Sequence, residues 1–202
     1  MKKKFSTTYM VELAVLIAII LIMAFTPIGY IKTLGLEITL IVVPVAVGAV
    51  TLGPVAGLIL GTIFGITSFI QCFGMSQFGV MLLSINPVFT FIVCVPTRAL
   101  MGWLTGLIYQ ALKKGGAKKI ACAVSCLASP LLNTLFFMSA ICLLFYQTDY
   151  IQSLVTSLGA TNVLAFVLAF VGINGLVEAL ASFIAGTAIA QALLVVMRRA
   201  AK

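Results

Sequence analysis

Apolar residues run through the chain in six long stretches, which are separated by short breaks rich in polar residues, glycine or proline. Stretches of this length that are apolar all round the helix are typical of membrane spans. The pattern therefore predicts one domain, residues 1–202, of the all-α integral membrane class with six transmembrane helices. The predicted spans cover residues 11–27, 38–51, 54–73, 87–112, 120–146 and 162–197.

The composition supports a membrane protein. Hydrophobic residues make up 63% of the 202 positions and charged residues only 8%, with a mean hydropathy of +1.28. Soluble domains carry about 25% charged residues. The apolar part of the second stretch, Ile38 to Val50, is short, because at 1.5 Å per residue it covers roughly 20 Å of a ~30 Å hydrocarbon core. Pro44 is expected to kink it, and residues 74–86 and 146–161 are expected to be loops.

The positions of the basic residues predict the orientation. The net charge is +8, and ten of the twelve Lys and Arg residues lie in three clusters, at residues 2–4, 113–119 and 198–202. Six spans place all three clusters on one side, and the positive-inside rule makes that side the cytoplasm. Both termini are thus predicted to be cytoplasmic. Basic clusters beside hydrophobic stretches do not indicate a nucleic-acid partner.

Several enzyme classes are excluded by what the sequence lacks. It has no histidine, only four scattered acidic residues and no Gly-x-x-x-x-Gly-Lys-Ser/Thr motif for ATP. The five cysteines form no Cys-x-x-Cys pair, so they are predicted to be packing residues rather than metal ligands. The sequence predicts no catalytic residue, no metal site and no cofactor.

Polar side chains recur at similar depths in three of the predicted spans. Arg98 lies in the fourth, Asn133 and Thr134 in the fifth, and Asn174 and Glu178 in the sixth, four residues apart on one helix face. A charge at this depth costs about 2.5–3.5 kcal/mol on insertion scales unless it faces protein or water. Two hypotheses follow: an Arg98–Glu178 ion pair that only holds the bundle together, or a pocket in which Arg98 binds a carboxylate.

Two other sets of residues have competing interpretations. Glycines recur every fourth residue in the third span, which favours close helix packing; they are Gly53, Gly57, Gly61 and Gly65. Aromatic residues of the outer loops are interpreted as interface anchors rather than ligand contacts; they are Tyr30, Phe73, Phe78 and Tyr150.

The order of several short motifs resembles a known family. These are Ala14-x-x-x-Ala18, Ala-Val-Thr-Leu-Gly-Pro-Val-Ala-Gly at 49–57, Gly-Ile-Thr-Ser at 65–68, and the Asn174-x-x-x-Glu178 pair. Together they resemble the S-component, or substrate-binding membrane subunit, of energy-coupling factor (ECF) vitamin transporters, and pantothenate-type subunits most of all. The resemblance covers essentially the whole chain.

The resemblance implies a high-affinity vitamin-binding subunit of a bacterial plasma membrane importer. Its partners would be a small-molecule vitamin, a transmembrane coupling protein and two ATPase subunits. Ala14 and Ala18 would dock on the coupling protein, and the outer loop at 28–37 would close over the ligand, which adds Tyr30 and Lys32 to the expected binding residues. The full set of expected binding residues is then Arg98, Asn133, Asn174, Glu178, Tyr30 and Lys32.

Two alternatives remain at this stage. S-components for riboflavin, folate or pyridoxine share the same frame. A protein of another class, a non-transporting membrane scaffold subunit, would need no ligand, and its buried polar residues would then be structural.

Overall fold

The computed structural model describes residues 7–27, 29–31, 38–117 and 120–200. Helices follow one another through this part of the chain. They are α1 (Thr7–Ala24), α2 (Val42–Thr51), α3 (Pro54–Gln71), α4 (Gln77–Ile85), α5 (Pro87–Lys114), α6 (Ala121–Leu144), α7 (Asp149–Ser157), α8 (Val163–Ala181) and α9 (Thr187–Ala200). A π-helical turn, Ser182–Gly186, joins α8 to α9 without a break. Between α1 and α2, the short strands β1 (Tyr30–Ile31) and β2 (Ile38–Thr39) pair antiparallel.

Five of the described helical segments are long and apolar enough to cross a membrane. They are α1, α3, α5, α6 and, within the last helical stretch, Asn174–Val196. This confirms the prediction of a helical membrane protein, apart from the small pair of strands. By length and composition, however, the described residues provide five such helices rather than six, because α2 has only ten residues and extends about 15 Å.

The shortness of α2 follows from its place in the bundle. Eight of its ten residues are buried, and it packs against α1, α3, α5, α6 and α9. A helix that is hydrophobic all round is stable where other helices surround it, so α2 does not have to match the bilayer by itself. Pro44 is the third residue of the helix, where a backbone N–H has no intrahelical acceptor, so its missing N–H costs α2 no internal hydrogen bond.

Two helices lie where the sequence predicted loops. In α4, Ser76 caps the N-terminus, and Phe78 and Leu82 are buried one turn apart. In α7, Thr148 caps the N-terminus, and Ile151 and Val155 are buried in the same way. A capping hydroxyl followed by apolar residues four apart is a helix signal. Both segments have only nine residues, too few to stand out beside the long apolar stretches, and α7 is also polar.

The glycines of α3 pack against α5, as predicted. A Cβ added to Gly57 would collide with the backbone of Gly102, and one added to Gly61 would collide with the carbonyl of Arg98. The contact continues at Gly65, which meets the backbone of Val95 and Cys94. Backbones approach this closely only where side chains are absent. The contact also fixes the height of Arg98 on α5 relative to α3.

We predict that Gly61→Ala lowers the stability of the protein by about 1–3 kcal/mol, because the new methyl group has no room against the backbone of α5. Gly172→Ala in α8 is the matched control, since a Cβ there meets no atom within 4 Å. Thermal unfolding in detergent measures both variants. Equal unfolding temperatures for the two variants would contradict the proposed role of the glycine contact.

Candidate functional site

A cavity of about 90 Å³ lies among α3, α4, α5, α6, α8 and the end of β2. By volume it holds on the order of six waters. Arg98, Asn133, Asn174 and Glu178, which come from three different helices, all line it. The structure thus brings together four of the six residues that the sequence singled out for ligand binding.

The guanidinium of Arg98 is held firmly in this cavity. Its Nη1 atom donates to the carbonyl oxygens of Val93 and Cys94, both at 3.1 Å. The rings of Phe64 and Phe137 flank it, with centroids 4.9 and 5.1 Å from Cζ. Only 7% of the residue is exposed. Cation–π contacts of this kind stabilise a desolvated cation by about 2 kcal/mol.

One edge of the guanidinium, on the Nε side, is left without a hydrogen-bond partner among the described residues. Nε of Arg98 is buried and makes no hydrogen bond within the described part of the chain. It forms a fork with Nη2, on the side opposite the carbonyls that Nη1 uses, and such a fork matches a carboxylate.

The backbone of α5 is adapted to this arrangement around Pro96, which lies inside the helix. Proline has no N–H and disrupts the local helical hydrogen-bond ladder. Side chains supply additional donors in the same turn: the Thr97 hydroxyl and Arg98 Nη1 both donate to the carbonyl of Val93. Carbonyl oxygens in this turn therefore accept hydrogen bonds from the Arg98 cation, whereas in a regular helix they would bond mainly to backbone N–H groups.

Asn133 provides a second unpaired polar atom in the cavity. It lies in α6 one turn after Pro130, and 8% of it is exposed. Its Oδ1 atom is buried and accepts no hydrogen bond from any described residue. A buried amide oxygen in this state costs about 1–3 kcal/mol. The cavity thus holds an unpaired donor on Arg98 and an unpaired acceptor on Asn133.

Glu178 of α8 is buried and also lines the cavity. Its Oε1 atom accepts a hydrogen bond of 2.7 Å from the backbone N–H of Thr39 in β2. Asn174 lies one turn earlier in α8 and is half-buried. Their spacing of four residues places both on the cavity side of the helix, as the sequence predicted.

Arg98 and Glu178 do not form a salt bridge with each other. Within the described residues, Arg98 bonds to carbonyls of its own helix and Glu178 bonds to the backbone of β2. A direct ion pair, one of the two hypotheses left open by the sequence, is therefore not what stabilises these charges in this structure.

The remaining two predicted binding residues are not located by the structure. Lys32 lies outside the described residues. For Tyr30 only the backbone is described; it pairs with Thr39 in the strand pair. Both stay predictions.

Sequence reasoning did not assign several cavity residues. Thr39 and Gln71 line the cavity and are buried. Gln71 is the one amide side chain of α3, which is the signal that could have identified it. Phe78 was interpreted as an interface anchor, but it is buried, lines the cavity and packs against Phe137, Tyr150 and Phe170. The unrecognised α4 helix explains this error.

The cysteines are free thiols, and two of them reach the cavity. The sulfurs of Cys72 and Cys94 lie 4.0 Å apart across the contact between α3 and α5. Cys122 and Cys126 lie in the packed core. Among the described residues, no group of three His, Cys, Asp or Glu side chains is arranged to hold a metal ion.

Ala14 and Ala18 lie away from the cavity on the outer face of α1. The residues of α1 that pack into the bundle are Leu16, Ile20 and Ala24. Ala14 and Ala18 are displaced from these by two residues, which is about 200° around a helix, and they are exposed. A small-residue face is thus open to contact with another helix.

Comparison with known proteins gives one family. A search of curated proteins finds no match to the chain, but the model of the family described as "ECF transporter, substrate-specific component" matches residues 8–190. Members of this family bind a small substrate, are not enzymes themselves, and work with coupling and ATPase subunits. The match covers nearly the whole chain, and the chain belongs to the substrate-specific components of ECF transporters, as a multi-pass membrane protein.

Proposed function

We propose that the protein is the S-component of an ECF importer for a small, water-soluble, carboxylate-bearing vitamin, with pantothenate as the favoured substrate. The observation that carries this proposal is Arg98, a buried cation that lines the cavity with Nε unpaired and with no salt bridge to Glu178. A ligand carboxylate would neutralise the guanidinium and fill its open fork.

The chemistry of the cavity distinguishes among the vitamins that share this frame. Riboflavin and pyridoxine have no carboxylate to offer Arg98. Folate has carboxylates, but it is a much longer molecule than pantothenate. Pantothenate also has hydroxyl and amide donors that would satisfy Oδ1 of Asn133. A compact hydroxylated acid is therefore the best fit to the unpaired groups.

We further propose a single domain of six spans in the bacterial plasma membrane, with both termini in the cytoplasm. The clustering of ten basic residues at 2–4, 113–119 and 198–202 supports this orientation. In this topology α2 is the span that is short and enclosed by its neighbours.

The partner surface in this proposal is the outer face of α1. Ala14 and Ala18 would contact the transmembrane coupling protein, which carries the two ATPase subunits. Their exposure and their small size support a close helix–helix contact there.

The first prediction tests the carboxylate site. We expect Arg98→Met to weaken pantothenate binding roughly ten- to a hundredfold, the effect of losing a charge-assisted hydrogen bond of about 1.5–3 kcal/mol. Titration calorimetry on purified protein would measure it. The wild type should bind the alcohol analogue of pantothenate weakly, and Arg98→Met should discriminate little between acid and alcohol.

A matched control is Lys113→Met, which removes a cation from the far end of the same helix, where Lys113 lies 5.7 Å from the ring centroid of Tyr109. It should leave affinity unchanged. A folded Arg98→Met protein with native affinity would show that the site is misplaced. If another vitamin from a panel binds instead of pantothenate, the substrate assignment changes to that vitamin. If no vitamin binds, and mass spectrometry finds none co-purified with the protein, the scaffold alternative is favoured.

The second prediction separates stability from binding at Asn133. Asn133→Leu removes the unpaired Oδ1 atom at similar volume, so the ligand-free protein should unfold at a higher temperature. The same variant should lose much of the stabilisation that pantothenate gives the wild type. Ser129→Ala is the control in α6: Ser129 already bonds to Met101, so the ligand-free variant should gain no stability. A loss of stability in Asn133→Leu without ligand would contradict the interpretation.

The third prediction concerns assembly. Ala18→Trp should keep native affinity for pantothenate but reduce co-purification with the coupling protein and the ATPases, because a large side chain separates the helices. Leu131→Trp, at an exposed position of α6, should assemble normally. If Ala18→Trp assembles as well as the wild type, the docking role of α1 is wrong.

A further inference from the structure

Two thiols meet at the edge of the cavity, where α3 ends beside α5. Cys72 follows the last residue of α3, and Cys94 lies in the second turn of α5. Their sulfur atoms are 4.0 Å apart. Both cysteines are free, only 4% exposed, and part of the cavity lining. The pair is therefore almost fully buried, yet it adjoins the space that the proposed substrate would occupy.

The packing around the pair holds the two sulfur atoms near each other. The glycine contact keeps α3 and α5 at backbone distance here, since a Cβ on Gly65 would lie 2.8 Å from the carbonyl oxygen of Cys94. On another side, α4 packs against Cys72, because a Cβ on Gly79 would lie 2.6 Å from its sulfur. These contacts leave the two thiols facing each other across the boundary between α3 and α5.

A disulfide bond between them requires a small movement. The bond length is about 2 Å, so the sulfur atoms have to approach by about 2 Å from their separation of 4.0 Å. Cys72 is the capping residue at the end of α3, where the backbone adjusts more readily than inside a helix. The pair is thus close enough to be joined covalently without separating α3 from α5.

Cys94 also belongs to the turn that holds the buried cation. Its carbonyl oxygen accepts a hydrogen bond of 3.1 Å from Nη1 of Arg98. The same turn contains Pro96, which has no N–H and leaves the helical hydrogen-bond ladder incomplete. A covalent bond that draws Cys94 towards Cys72 therefore changes the orientation of a carbonyl that positions the guanidinium. Oxidation of the thiols and binding at Arg98 are coupled through one residue.

We propose that Cys72 and Cys94 are a redox-active pair, and that their reversible oxidation to a disulfide weakens substrate binding in the adjoining cavity. The proposed topology places the end of α3 and the start of α5 near the outer surface, where thiols meet oxidising conditions. This orientation and the effect on substrate rest on the proposed function. Formation of the disulfide does not, so it can be tested without any ligand.

The oxidant in this proposal is a small disulfide. One cysteine thiolate attacks it, which forms a mixed disulfide with the protein and releases one small thiol. The second cysteine thiolate then attacks the cysteine sulfur of the mixed disulfide, which forms the bond between Cys72 and Cys94 and releases the other small thiol. The cysteines lose two electrons and two protons, and the small disulfide is reduced to two thiols.

The ligand-free test equilibrates the protein in detergent with 2-mercaptoethanol and its disulfide, blocks the remaining thiols, and maps pepsin fragments by mass spectrometry. The wild type should yield fragments linked through Cys72 and Cys94, which a reductant separates. Cys72→Ala and Cys94→Ala should each abolish the link, and either one serves if the other does not fold. Cys122→Ala, which changes a thiol of the packed core, should keep the link. A wild type without the link would overturn the proposal.

The second measurement compares pantothenate binding by the oxidised and the reduced protein. Oxidation should weaken binding about tenfold or more, within the usual range of coupling between two sites, and reduction should restore it. Saturating pantothenate must then lower the ratio of disulfide to dithiol by the same factor in a fixed redox buffer, because linked equilibria are reciprocal. The affinity of Cys72→Ala should not respond to the oxidant. A disulfide that forms but leaves the wild-type affinity unchanged would overturn the proposed coupling.

The outcomes distinguish this proposal from the proposed function. If the reduced wild type binds no pantothenate, the substrate assignment fails, and fragment mapping alone decides whether the two thiols form a redox pair. If pantothenate binds but no link between Cys72 and Cys94 forms, the proposed function stands and the redox pair is wrong.

Discussion

The burial of a guanidinium inside an apolar helix bundle is the constraint on which the rest of this structure depends. A charge at membrane depth is tolerated only where protein or water solvates it. Here α5 supplies two of its own carbonyls from the turn that contains Pro96, and Phe64 and Phe137 supply ring faces. These contacts solvate one side of Arg98 and leave Nε without a hydrogen-bond partner among the described residues.

The glycine contact between α3 and α5 places this cation. Because Gly57, Gly61 and Gly65 have no side chains, the two helices approach to backbone distance, and the carbonyl of Arg98 lies directly against Gly61. Packing of this kind is stiff, since interiors respond to even a single added methyl group. The small residues therefore act on function indirectly: they hold the helix that carries the cation at a fixed height beside the cavity.

The polar side chains of the cavity are of two kinds: some have an unpaired atom, and others hydrogen-bond to the backbone between α1 and α2. Arg98 and Asn133 each have one unpaired atom facing the interior, while Gln71 and Glu178 bond to the connection between α1 and α2. Unpaired buried groups lower stability, so each one in a native structure requires an explanation.

The sequence by itself determined the helical membrane class, the approximate helix boundaries and the shared face of Asn174 and Glu178, because hydropathy and helical period are local properties. It also identified the glycine contact from a four-residue repeat. Only the tertiary structure decided that Arg98 and Glu178 bond to different partners, that Phe78 is buried, and that Gln71 and Thr39 belong to the cavity. Those facts depend on the distance between side chains from helices remote in sequence, and on two short helices, α4 and α7, whose formation depends on burial against the bundle rather than on length or hydropathy.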